Sequence, residues 1–376
     1  MPCLIPWRPP AAVRMERQDT RQTNLLIQAL RAPESSLAGS PVDWDLLIRQ
    51  ARRADLLAHL CLLLEARGLL GRVPALPFRH LDSARSYARA QHRVVRWEVR
   101  CLRRALAPIG VPVILLKGAA YVMAGLPPGR GRLFNDIDIL VPRERLAATE
   151  QALLANGWMT THLSAYDQRY YRRWMHELPP LRHIRRRTVL DVHHNILPET
   201  ARLHPVPEKL IAAAQSFSDD PEVRILAPAD MVLHSATHLF HDGELEHGLR
   251  DLVDLDALLR DFGRDNQFWQ GLVPRARELD LVRPLYYALR YTHRILATPV
   301  PDAVQQDIRA GCPGAGLKQV MDALFHRALM VDHPSCAMPL TGAARGLLYI
   351  RAHYLRMPLY LLIPHLLRKA FRQQQD

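Results

Sequence analysis

The stretch Arg132-Leu-Phe-Asn-Asp136-Ile-Asp138-Ile-Leu-Val141 decides how this chain of 376 residues is read. Asp136 and Asp138 stand two apart in an apolar run, so on a β-strand both carboxylates leave one face while Ile137 and Ile139 enter a core. Two carboxylates fixed in that way suit a hard cation such as Mg²⁺, which keeps most of its water and takes one or two protein carboxylates together with substrate phosphates. Upstream, Leu115-Leu-Lys117-Gly118-Ala119 reads as a glycine turn opening a helix, where backbone N–H groups are offered to a phosphate. A cation beside a phosphate implies phosphoryl or nucleotidyl transfer. An isolated Asp-x-Asp is commonly just a strand end; the glycine turn upstream and Arg132 give the pair its weight.

These residues resemble the polymerase-beta-like nucleotidyltransferase superfamily, in which a Gly-Ser or Gly-Gly turn precedes an Asp-x-Asp strand and a third carboxylate follows. Within it, Leu116-Lys117-Gly118, Arg132 and Asp136-Ile-Asp138-Ile-Leu-Val141 are similar to an uncharacterised bacterial nucleotidyltransferase family that carries a Lys-Gly turn. The motif-bearing part covers residues 106–200. The resemblance implies an α+β fold, with a small mixed-sheet core between N- and C-terminal helical subdomains. It supplies the third carboxylate as Asp191, in Arg187-Thr-Val-Leu-Asp191-Val-His193-His194. It also implies Mg²⁺, with Mn²⁺ as a substitute, on Asp136, Asp138 and Asp191. A nucleoside triphosphate, ATP first among the candidates, would meet Lys117, Gly118, Ala119 and Arg132. The product would be a nucleoside monophosphate joined to a hydroxyl of a protein, a small molecule or an RNA.

One departure is Ala119, where the superfamily has a small hydroxyl residue. Phosphate contact there falls to backbone amides or Lys117, and a nucleotide-binding regulatory protein with little turnover stays open. Lys117 is read either as a phosphate ligand or as a solvated strand end. Arg132 is open to two readings as well, since its planar fork fits phosphate oxygens or a salt bridge orienting Asp136.

Composition bounds the rest. A length of 376 residues with 48% hydrophobic content fits an ordinary globular chain of two or three folding units. The 5 cysteines are scattered and form no Cys-x-x-Cys pair, so neither a disulfide framework nor a zinc knuckle is indicated, and a cytoplasmic setting is expected. The N-terminus lacks an apolar leader, and residues 1–20 are expected to be disordered.

A net charge of +13 raises nucleic acid as a partner and the chain as a nucleic-acid-binding factor. Lysine occurs only at Lys117, Lys209, Lys318 and Lys369, and such an arginine bias weakens that inference. The densest basic run, from Arg169 to Arg187, directly precedes the Asp191 strand. Alternation along that strand would point Arg185 and Arg187 to the face of Asp191, as candidates for guiding an anionic substrate, and Arg186 away from it. A solvated loop is the competing reading.

Helical periodicity dominates both flanks. A helix with Asp43 as N-cap runs from Trp44 toward Gly68, and another spans Ser83 to Leu106; residues 21–107 are thus an expected helical subdomain. Strands at 111–116 and 136–141 and helices at 119–124 and 143–156 fill an expected core of 108–200, and 201–376 is expected to be helical. His234, His238 and His241 fall on one helical face, read as neutral histidines lining a cleft or packing on the next helix rather than as a zinc site. His238, Arg250 and Asp251 are candidates for reaching the acceptor or the nucleotide, with salt bridging between helices equally open. The apolar, basic stretch 347–372 is broken by Pro358 and Pro364, so it reads as bundle helices before a membrane-surface segment, and no transmembrane span is expected.

Overall fold

In the computed structural model of the protein, residues 24–161, 164–216, 221–243, 245–358 and 360 are described. The expected disorder at 1–20, and the basic segment beyond 358 apart from Tyr360, lie outside them. Among the described residues four helices come first: α1 (Leu25–Arg31), α2 (Pro41–Arg53), α3 (Leu57–Ala66) and α4 (Ala75–Leu106). The expected single helix after Asp43 is two. Ser40, not Asp43, caps α2, and Asp43 closes a reciprocal capping box on it. The helix breaks at Asp55, whose φ of 55° is left-handed, a conformation that a short polar side chain tolerates better than most. Helix α4 starts at Ala75, ahead of the expected Ser83, because Pro77 falls in the first turn, where no N–H is needed.

Among the described residues the sheet has seven strands in the order β3-β4-β5-β2-β1-β7-β6. They are β1 (Val113–Leu115), β2 (Asp136–Leu140), β3 (Trp158–Thr160), β4 (Leu181–His183), β5 (Val189–His193), β6 (Gln215–Ser216) and β7 (Val223–Ile225). Strand β2 lies between β1, antiparallel to it, and β5, parallel to it. Between the strands come α5 (Lys117–Met123), α6 (Leu146–Ala155), α7 (Ala165–Trp174) and α8 (Pro207–Ala213). The sheet continues past residue 200, because β7 pairs in parallel with β1.

A helical region follows: α9 (Pro228–Thr237), α10 (Gly248–Phe262), α11 (Asn266–Glu278), α12 (Val282–Leu296), α13 (Asp302–Asp307), α14 (Ala315–Ala328) and α15 (Thr341–Arg356). The protein is thus mixed α+β, with helical regions on both sides of the sheet in sequence. One continuous apolar core runs from Leu26 in α1 through Val113, Ile139 and Leu190 in the sheet to Leu348 in α15. No helix among the described residues is long and apolar enough to cross a membrane.

Candidate active site

Strand β2 carries the deciding pattern. Ile137 and Ile139 are buried, Asp136 is exposed and Asp138 is partly buried, as alternation requires. Parallel pairing sets Asp138 directly beside Asp191 on β5. Asp136, Asp138 and Asp191 thereby bring carboxylate oxygens within 4.8 Å of one another. Asp191 Oδ1 is buried with no hydrogen-bond partner. A buried acceptor left in this state is costly unless a proton or a cation meets it, so the donor set fits a hard divalent ion.

The three carboxyls titrate differently. Burial pushes Asp191 up to about 8, with Asp138 and Glu177 adding repulsion. Asp136, though its side chain reaches the surface, is also raised, first by loss of water around its carboxyl within the cavity and then by Asp138. Burial opposes ionisation of Asp138 too, yet Lys117 and a hydrogen bond from His193 hold it well below the usual carboxylate range. Asp138 is therefore the standing negative charge of the group.

These carboxylates open onto a cavity of about 380 Å³ between the sheet and the helical regions. Lys117, Gly118, Ala119 and Arg132 line it from the α5 side, His238 and Arg250 from the C-terminal helices, and Arg356 from the end of α15. Lys117 is held at φ 41°, a conformation costing a non-glycine residue on the order of 1–3 kcal/mol. Gly118 is also packed closely by side chains of the segment that follows it. A Cβ there would stand 2.7 Å from Phe134 Cε1 and 2.9 Å from Arg132 Nε, so these two side chains occupy the space a larger residue would need.

Arg132 is nearly buried and is tied to Asp254, with Asp251 Oδ1 at 3.8 Å. Its ion pairs therefore run to α10, not to Asp136. From the other side α4 grips the same segment: Gln91 Oε1 accepts from Phe134 N at 3.0 Å, and His92 Nε2 lies 3.0 Å from Arg132 O. Gly131, at φ 77°, lets this segment press against the backbone of Ala58 and His59, where any Cβ would collide. Asp251 stands behind the cavity wall, where Arg250 donates to it at 3.1 Å and His238 Nδ1 is 3.9 Å away. Burial disfavours its charge, but Arg250 and Arg132 keep it low. Its place is that of a brace between helices, so the expectation that it reaches substrate gives way to the salt-bridging alternative.

Two other expectations change. Arg185 and Arg186 lie in the turn between β4 and β5, with Arg187 directly after it, rather than extending β5, so strand alternation does not apply to them. Arg185 and Arg187 are not among the cavity's lining residues, while Arg186 Nε donates to Glu98 Oε1 at 2.7 Å and its guanidinium lies 5.5 Å from the Trp158 ring. The three histidines also diverge. Helix α9 gives way to a π-helical turn at His238–Asp242. That turn leaves His238 in the cavity of the carboxylates and His241 in a separate apolar one with Phe240 and Tyr287. Burial drives His234 far below its ordinary value, so it is neutral.

Sequence reasoning passed over His176, Glu177 and His193, which also line the cavity. For His193 a signal existed: two residues after Asp191 on one strand, it shares that residue's face. His176 and Glu177 carry none, because a single isolated bridge, Glu177 with His193, brings them there. Residues 40–297 match the model of a family described as an uncharacterised nucleotidyltransferase, and no curated protein matches the chain.

Proposed function

The chain belongs to that nucleotidyltransferase family, and on this premise we propose that it moves a nucleoside monophosphate from a triphosphate, ATP the first to test, to a hydroxyl acceptor. The observation that carries the reading is the convergence of Asp136, Asp138 and Asp191, with the buried Asp191 Oδ1 lacking any partner. These residues would hold Mg²⁺, or Mn²⁺ in its place. Such cations, when bound, would supply charge stabilisation to the phosphoryl group in transfer.

The chain's own part is placement and charge. Asp138 stays ionised and presents a fixed ligand. Asp191 is positioned to take up a proton or a cation, according to which is present. Lys117, whose charge already bears on Asp138, offers an ammonium to the triphosphate, and Arg250 adds a second positive group on the C-terminal wall. Arg132, neutralised by Asp254 and Asp251, shapes the floor above Gly118 rather than grasping phosphate. A polar cavity of this size has room for part of a nucleotide beside an acceptor hydroxyl.

The test is incubation of the purified chain with each α-labelled nucleotide and Mg²⁺ or Mn²⁺ in a lysate of the source organism. Label should enter one class of product. Asp136→Asn and Asp138→Asn should each lower that rate by at least about a hundredfold, because several kcal/mol of charge stabilisation are withdrawn. Label incorporation unchanged by either variant would overturn the assignment.

A further inference from the structure

Beside the three carboxylates, on the same cavity wall, lies a group of different chemistry. His176, Glu177 and His193 bring one ligand atom each within 4.8 Å of the others. We propose that these three residues form a second metal site, for a borderline-soft transition ion of the Zn²⁺ type, next to the hard-cation site of the carboxylates.

Four observations carry the proposal. The first is the donor set: two imidazoles and one carboxylate suit Zn²⁺ and its neighbours in the first transition row, whereas Mg²⁺ prefers oxygen alone. The second is spacing. His193 Nδ1 and Glu177 Oε2 are 3.4 Å apart. Two ligands at about 2.0–2.1 Å from one tetrahedral ion are separated by about 3.3–3.4 Å, so this edge already has the dimension such an ion needs. The His176 ring, 5.3 Å from that of His193 between centroids, flanks the same point.

The third observation is the outer partner. His193 Nε2 is 3.3 Å from Asp138 Oδ1. A metal-bound histidine almost always gives its other N–H to a carboxylate, which fixes the tautomer; here Asp138 fills that place and leaves Nδ1 for the ion. The fourth is rigidity. Residues 176–178 run antiparallel to β5, with Leu178 N donating to Val192 O at 2.9 Å and His194 N donating to His176 O at 2.8 Å. Backbone pairing, not a flexible loop, thus sets Glu177 opposite His193. All three side chains face the cavity, so the fourth coordination position opens toward substrate or water.

Asp138 then belongs to both centres, a direct ligand in one and the outer partner in the other. The inference rests on the donor group itself and does not need nucleotidyl transfer to be the reaction. A protonated His193 paired with both Asp138 and Glu177 is the rival arrangement, and it binds no ion.

The experiment is equilibrium dialysis of the full chain against Zn²⁺ under a large excess of Mg²⁺. Cobalt absorption spectra give a second readout, and far-UV circular dichroism monitors the fold of each variant. Wild type should bind one tight equivalent of Zn²⁺. Glu177→Gln, which keeps side-chain volume, and His176→Ala should each weaken it by more than about a hundredfold, while loss of the outer partner in Asp138→Asn should cost about 10- to 100-fold. Asp136→Asn, which touches only the hard-cation site, should leave the equivalent in place. No saturable Zn²⁺ binding by wild type, or binding that survives both Glu177→Gln and His176→Ala but disappears with Asp136→Asn, would overturn the proposal.

Discussion

At the scale of the residue, Asp191 is the group whose behaviour depends most on what else is bound. Its carboxyl, ordinarily near 3.8, is pushed up to about 8 by burial and by Asp138 and Glu177. In the cation-free protein it therefore keeps a proton that the unfolded chain has released by pH 5. The native state binds more protons than the unfolded state in this window, so Asp191's contribution to stability falls as pH rises from about 4 to about 8. Thermal denaturation in a chelator should show that decline, and saturating Mg²⁺ should raise Tm increasingly toward pH 8, since binding must displace the proton. Asp191→Asn should flatten both trends. A Mg²⁺ effect of equal size throughout, from about pH 5 to 9, would contradict this account of the carboxyl.

At the scale of the element, the turn joining β4 to β5 holds the N-terminal helices to the sheet. Arg186 reaches from it to Glu98 on α4, a carboxylate only 1% exposed. Removing the arginine strands that charge, and breaking a buried pair from one side typically costs several kcal/mol. We expect Arg186→Ala to destabilise the protein by about 3 kcal/mol, read as a lower urea midpoint at unchanged slope. Arg185→Ala, an exposed neighbour, should stay within about 0.5 kcal/mol. Strand alternation marked Arg186 only as the control for substrate guidance; its tie to Glu98 gives it a separate part in stability. The contrast between these neighbours has a simple cause: a turn has no alternating faces, and directly after it Arg187 takes a left-handed φ of 65°.

At the scale of the whole molecule, helices from both ends of the chain share one core with the sheet. Leu102 and Leu106 of α4, Ile114 and Leu140 of the sheet, Leu252 of α10 and Leu348 of α15 belong to it together. Polar ties follow the same path, with Tyr121 of α5 meeting Ser235 of α9 at 2.6 Å and Arg132 meeting α10. Unfolding should accordingly be one cooperative transition, with calorimetry, tryptophan fluorescence and far-UV dichroism coincident. An early, separate melt of either helical region would refute that coupling. Features that depend on neighbours along the chain were legible before any folding: the Asp-x-Asp face of β2, the helical flanks, and the glycine turn ahead of the acidic strand, while the third carboxylate came from family resemblance. Which distant groups meet emerged with folding: Asp138 beside Asp191, Arg132 on Asp254 and Glu177 opposite His193. Alternation and helical period are short-range properties that a sequence displays directly, whereas strand register and helix docking come from burial of a core whose contacts join residues far apart in the chain.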